Sequence, residues 1–402
     1  MSARLLLFTG KGGVGKTTLA AATATALAAG GRKALVVSTD PAHSLGDALG
    51  VPLTGHVGEV DGAGSTGVLH AAQIDPRALV DDAWRDLRGH LRTVLAGAGV
   101  DELDAEELTV LPGVEELLAL SEVRRLAATG PWDVVVVDCG PTAETLRLLA
   151  LPEAFASYLE RLFPTHRRVV RGLLAGVAGS GTVEKWDATA DALGRLAEDL
   201  EQLRGLLTSP TTSVRLVLTP ERVVAAETRR TVTALALQGI RVDGVVANRV
   251  VPDPGADRGP AADWLRTRRA EQDAVLAELA DLGPVAAVEH RAAEPVGAAA
   301  LLKVAEGLYQ GRDPLDGVVD EEPLLSVERT GELEYTLRLA LPVGDSSLDL
   351  ARVGDDLAVT VDGRRRLVAL PSLLRRCLVT GAELDDTGLA VRFAPDPDLW
   401  MR

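Results

Sequence analysis

Along residues 1–312, short unbroken apolar runs alternate with longer stretches of helical character. The runs are RLLLFT (4–9), KALVVS (33–38), DVVVVD (133–138), SVRLVLT (213–219), VDGVVAN (242–248) and GPVAAV (283–288). Strands buried on both faces carry such runs, because neither face needs polar residues. With helices between them, they predict an α/β domain built on a mostly parallel, doubly wound sheet. Residues 16–29 are almost pure Ala, Thr and Leu, which suits a helix lying close on a sheet. Two helical regions, about 74–128 and 150–206, are too long for simple crossovers and predict an inserted helical subdomain.

The pattern changes after residue 312. The stretch 313–322 is acidic and rich in Pro, Gly and Asp, and reads as a linker. Beyond it the period is two: Leu333, Tyr335, Leu337, Leu339 and Leu341, then Leu357, Val359 and Val361, then Leu389, Val391 and Phe393. Turn signals fall at Gly331, Gly354, Asp362-Gly363 and Thr387-Gly388. This predicts a small all-β sandwich over 323–396. Arg364, Arg365 and Arg366 read first as a solvated strand edge that resists pairing with other chains.

Composition narrows the function. The 402 residues carry a net charge of −16, so the surface repels nucleic acid and anionic membrane, and no nucleic-acid partner is expected. Any phosphate site must be locally cationic. The two cysteines, Cys139 and Cys377, supply no disulfide framework and no CxxC pair, so neither zinc nor an iron–sulfur cluster is expected. No signal peptide precedes the first strand, and no uncharged apolar stretch reaches the ~18–20 residues that span a bilayer. A cytoplasmic protein is the expectation.

The chemistry begins at Gly10–Thr17, G-K-G-G-V-G-K-T, which satisfies G-x-x-x-x-G-K-[ST] between an apolar strand and a helix. Gly10, Gly12, Gly13 and Gly15 let main-chain N–H groups turn inward on phosphates, with Lys11 and Val14 between them. The helix that follows, with Thr18 in its first turn, aims its positive end at the same anion. Lys16 is placed to bridge β- and γ-phosphates, and the Thr17 hydroxyl to meet Mg²⁺. Asp138 closes DVVVVD beside this loop, where a carboxylate holds the metal shell; Asp40 lies just past KALVVS at the same end of the sheet. Thr17, Asp40 and Asp138 are the candidate metal residues, and Asp40 is also free to orient or deprotonate the attacking water. The plainer reading of Asp40 is a cap on the turn at Pro41. His43 and Ser44 stand nearby.

A phosphate loop needs one lysine, and this one has two. Lys11 follows the first glycine, where it either lies in solvent or reaches a phosphate on a facing subunit. GKGGVGKTT resembles the deviant Walker A loop of a P-loop ATPase family that includes partition and septum-site ATPases, nitrogenase iron protein, and the ArsA arsenite-pump and tail-anchored-protein-targeting ATPases. STDPAHSLGDAL (38–49) is similar to switch I of the last two, DCGPTAETLRLL (138–149) to their switch II, and LPGVEELLAL (111–120), LTPERVVAAETRR (218–230) and VVANRV (245–250) to further segments. Switch II departs from that pattern at Cys139, Gly140, Ala143 and Glu144. The tail resembles an α-crystallin domain, the core of small heat-shock proteins.

The resemblance implies an ATP- and Mg²⁺-dependent ATPase that works as a homodimer and handles protein clients, membrane-protein segments among them. It implies that Lys11 acts across the dimer, that Asp40 activates water, that Asp138 belongs to the Mg²⁺ shell and that Asn248 contacts adenine. Two alternatives remain open: a positioning ATPase that binds DNA or membrane, and an anion or metalloid pump subunit. The acidic surface and the absence of a terminal basic amphipathic helix speak against the first, and the lack of a cysteine triad against the second. The cluster Arg161, His166, Arg167, Arg168 and Arg171 reads as a solvated helix face or a partner contact.

Overall fold

A computed structural model describes residues 3–42, 44–62, 67–75, 79, 114–140, 198–199, 201–316, 325–340, 347–361, 364–385 and 388–400. Most of both predicted helical regions lies outside the described residues, as do His43, the switch II segment after Gly140, the basic cluster 161–171 and the latter part of the linker. The first part of the chain runs β1 (Arg4–Thr9), α1 (Lys16–Ala29), β2 (Lys33–Ser38), α2 (Ser44–Leu49), β3 (Gly58–Val60), β4 (Val68–Gln73), α3 (Val114–Thr129), β5 (Val134–Asp138), β6 (Thr212–Leu218), α4 (Arg222–Leu237), β7 (Val242–Val250), α5 (Pro260–Glu278), β8 (Val285–Glu289) and α6 (Ala298–Tyr309). Eight strands form one sheet in the order β3-β4-β2-β5-β1-β6-β7-β8. It is the mostly parallel α/β sheet that the apolar runs predict.

Two compact units divide the chain: Met1–Leu5, Thr17–Ser209 and Val296–Leu302 in one, Leu6–Lys16, Pro210–Pro295 and Lys303–Arg402 in the other. In the first unit β2 pairs parallel with both β4 and β5, and β3 adds an antiparallel edge to β4. Every residue of β5 is buried, which is why its first four are valine. α1 is buried nearly all round; its Thr23 and Thr25 hydroxyls donate back to the Leu19 and Ala21 carbonyls at 2.7 Å, so no polar group is stranded.

In the second unit β6 pairs parallel with β7, and β7 with β8. α4 buries Val224, Ala225, Thr228, Val232 and Leu235, a stripe at helical spacing. The tail forms two antiparallel sheets. One is β14-β15-β10-β9, made of β9 (Leu325–Arg329), β10 (Tyr335–Leu339), β14 (Cys377–Asp385) and β15 (Gly388–Pro395). The other is β11-β12-β13, made of β11 (Leu348–Val353), β12 (Asp356–Val361) and β13 (Arg364–Ala369). Tyr335, Leu337 and Leu339 face Phe393, Val391 and Leu389 directly across the β10–β15 ladder, and all six are core residues. Ala236 and Leu237, at the end of α4, belong to the same hydrophobic cluster. Leu333 breaks the predicted alternation: it lies in the turn before β10 and is 52% exposed. No helix among the described residues is long and apolar enough to cross a membrane.

Candidate functional site: the glycine-rich loop and its carboxylates

The loop leaves β1 and runs into α1, as the motif requires. Two of its glycines are imposed by close approach. Gly10 has φ +145°, and a Cβ there would lie 2.1 Å from the Val217 carbonyl oxygen of β6. Gly15 has φ +93°, and a Cβ would lie 2.2 Å from Asn248 Nδ2. Neither position admits a side chain. Lys16 is 5% exposed, and its ammonium donates to the Lys11 carbonyl at 3.3 Å. Among the described residues no carboxylate pairs with it. A buried cation without a counter-charge is costly unless an anion completes the site. The first turn of α1 adds its dipole and carries no acidic side chain to oppose it.

Lys11 points elsewhere. Its Nζ lies 3.8 Å from Glu227 Oε2 of α4, and the two side chains are 46% and 44% exposed. An exposed pair at this distance is a weak tether that a multiply charged phosphate can displace. Asn248, at the C-terminal end of β7, donates from Nδ2 to the Val14 carbonyl at 2.8 Å and accepts from the Arg249 N–H at 2.9 Å. It therefore joins β7 to the loop and keeps one N–H and one lone pair for another partner.

In the first unit the two candidate acids are linked by a residue that sequence reasoning passed over. The Ser38 hydroxyl donates to Asp138 Oδ2 at 2.9 Å and accepts from the Asp40 N–H at 3.2 Å. Ser38 and Asp138 are fully buried. Asp40 Oδ1 accepts from the Ala42 N–H at 2.9 Å, so the local cap before α2 is formed as well. The Asp40 carbonyl accepts from Gln73 Nε2 at 3.0 Å. Ser38 and Glu227 lie in the segments quoted above but have no role assigned there, and nothing in the sequence marked Gln73; Ser38 and Gln73 each close a plain strand, and Glu227 lies on a helix face of mixed charge. Thr17 Oγ1 lies 3.1 Å from Ser44 Oγ.

The donors offered here, the Thr17 and Ser44 hydroxyls and the carboxylates of Asp138 and Asp40, are all oxygen, which suits a hard cation such as Mg²⁺. Among the described residues no group of three or more His, Cys, Asp or Glu could form an all-protein cage. Mg²⁺ carried in with a nucleotide needs none, since phosphates and water complete its shell.

The family model of the anion-transporting ATPase matches residues 3–310, and that of the HSP20-like domain found in ArsA matches residues 332–393. The chain is 43% identical to a protein of Mycobacterium tuberculosis, over 99% of this chain and 97% of that protein. It is 34% identical to a putative arsenical pump-driving ATPase of Prosthecochloris vibrioformis, over 95% of this chain and 93% of that one. Identity to ATPase get3 of Neurospora crassa is 31%, over 64% of this chain and 76% of the relative.

Proposed function

The chain belongs to the anion-transporting ATPase (ArsA) family and is an ATPase; on that premise we propose that two copies close face to face around a pair of ATP molecules, and that this switch works a helical surface that handles protein clients. Lys16 holds the β- and γ-phosphates while the loop N–H groups and the start of α1 take the remaining charge. Thr17, Asp40 and Asp138, with Ser44 beside Thr17, are the residues that would hold Mg²⁺, which supplies charge neutralisation on the phosphate oxygens. Asp40 orients the attacking water through its carboxylate, held near Asp138 by the Ser38 bridge. Lys11 exchanges Glu227 for a phosphate of the facing subunit, as an arginine finger supplied in trans would. Asn248 steadies the loop and borders the adenine. The client reading rests on the likeness to targeting ATPases and extends to segments of membrane proteins.

The observation that carries the nucleotide site is the buried Lys16 ammonium, which has no carboxylate partner among the described residues, in a loop closed to side chains at Gly10 and Gly15. The dimer is tested with Asp40→Asn, which is expected to bind ATP and to lose turnover by about 10²–10⁴-fold, the range for a general base. Trapped with Mg·ATP, this variant should sediment at twice the 42.1 kDa chain mass. A wild-type chain that stays monomeric at saturating Mg·ATP, yet hydrolyses it at full rate, overturns the proposal.

A second reading, an ATPase that drives an oxyanion pump, is favoured by the match to a putative arsenical pump-driving ATPase along nearly the whole chain. It predicts that arsenite raises ATP turnover, and that replacing Cys139 and Cys377 abolishes the effect. Turnover indifferent to arsenite removes this reading.

A further inference from the structure

We propose that Gln73 is a positioning residue for hydrolysis: it fixes the main chain of Asp40 and so aims that carboxylate at the water. The inference rests on the reading of Asp40 given above. Asp40 lies two residues beyond β2, past the last rung of the ladder, so no strand neighbour holds its carbonyl. Gln73 is the last residue of β4 and pairs in register with Ser38. Its own backbone is fixed on both sides, by Gln73 N–H donating to the Thr54 carbonyl and Ile74 N–H to the Ser38 carbonyl, each at 3.0 Å. From that seat Nε2 reaches the Asp40 carbonyl at 3.0 Å, with longer approaches to Ser38 and Ile74 carbonyls at 3.5 and 3.4 Å.

The other end of the amide shows what the residue is for. Gln73 is 4% exposed, and its Oε1 is buried with no hydrogen-bond partner among the described residues. A buried, unsatisfied acceptor is a liability that a Leu or Met side chain would avoid. An amide at this position costs stability with its oxygen, so its worth lies in its N–H groups, and the best-placed acceptor is Asp40. The remaining ties on Asp40 do not replace it. The Asp40 N–H bond to Ser38 Oγ is long at 3.2 Å, and the Ala42 N–H holds the carboxylate rather than the backbone. Without Gln73 the segment carrying the carboxylate can rotate about its ends, and a displacement of 1 Å costs up to ~10²-fold in rate.

The test compares full-length wild type, Asp40→Asn, Gln73→Leu and the double variant, with Gln73→Met as a second apolar replacement should Leu disturb folding. Steady-state turnover and the affinity for a fluorescent ATP analogue are read for each. Gln73→Leu or Gln73→Met should lower turnover about 5- to 50-fold while nucleotide affinity stays within about two-fold. In the Asp40→Asn background the same change should lower turnover no further, because it acts through the missing carboxylate. A Gln73 variant with wild-type turnover, with affinity falling alongside turnover, or with losses that add to those of Asp40→Asn overturns the inference and leaves the role of Asp40 standing. An Asp40→Asn protein with undiminished turnover removes the reading beneath it instead.

Discussion

Replacing Asn248 with Ala separates two things that this side chain can do for the nucleotide. The change removes the 2.8 Å bond to the Val14 carbonyl and the 2.9 Å bond from the Arg249 N–H. Each is worth about 1 ± 0.5 kcal/mol, and a partly buried Val14 carbonyl left without its donor adds to the loss. Arg249 sits at φ +58°, a conformation that a long side chain adopts only when held there, so its release returns a little of that cost. The net is about 1–3 kcal/mol in favour of the ordered loop, or roughly a 5- to 150-fold weakening of phosphate binding. The assay is calorimetric titration with Mg·ATP and, separately, with inorganic tripolyphosphate, which has no base. As a strut for the loop, Asn248→Ala weakens both by the same factor, and any excess loss for ATP measures the contact to adenine. If tripolyphosphate binds the variant as well as the wild type, Asn248 is not a strut for the loop.

Lys11→Ala is expected to spare ATP binding and abolish ATP-dependent self-association, seen by sedimentation. An equal mixture with Asp40→Asn should regain up to about a quarter of wild-type turnover, since half the dimers are mixed and each holds one intact composite site; no recovery on mixing removes Lys11 from the facing subunit's site. Arg215→Ala should destabilise the fold by about 3–5 kcal/mol in urea, because it leaves the buried Asp243 carboxylate without its cation, with only the Ser213 hydroxyl still donating to it, and removes the bonds to Tyr309 Oη and the Pro314 carbonyl. A loss under about 1 kcal/mol would mean that the pair is dispensable. Burial holds the Cys377 thiol above its ordinary range, with Arg352 and Arg376 opposing only in part. Thiolate is the reactive form, so a thiol reagent at pH 8 should modify half-buried Cys139 first and Cys377 slowly, with the Cys377 rate still climbing above pH 9; equal rates at pH 8 would contradict this.

The parts of the fold that sequence made legible are those where the backbone environment dictates residue type over several positions. β5 and β6 are buried along their whole length, and the runs of Val and Leu that fill most of them are what the pattern shows. β4 escaped because its sequence, VLHAAQ, mixes a histidine and two alanines into a strand flanked by neighbours on both sides. Its burial comes from those neighbours rather than from its own hydrophobicity. β3 has only three residues and sits at an edge, too short for any period to declare itself. In the tail, period two found β10, β12 and β15, the strands that line the core. β14, another edge strand with most of its residues exposed, carries no such alternation.

The same logic separates what could and could not be read at the site. Glycine is favoured where an atom approaches closely and φ is positive, as with the Val217 carbonyl at Gly10 and the Asn248 side-chain amide at Gly15, so the loop announces itself in sequence. A hydrogen-bonding side chain is not forced in this way. Ser38 could be Ala, and Gln73 Leu, without disturbing the strand pattern around them, and both sit where a buried apolar residue would read as natural. Their meaning arises only from register. The parallel pairing of β2 with β5 puts Ser38 level with Asp138, and that of β2 with β4 puts Gln73 level with Ser38. Three residues 35 positions or more apart in sequence, or separated by a strand crossover, thus share one rung at the carboxyl ends of adjacent strands. A buried hydroxyl there must find partners, and the carboxylate of Asp138 and the N–H of Asp40 are what the rung offers. Neighbourhood across a sheet, which no single stretch of sequence records, is what turns two ordinary strand residues into supports for the acids.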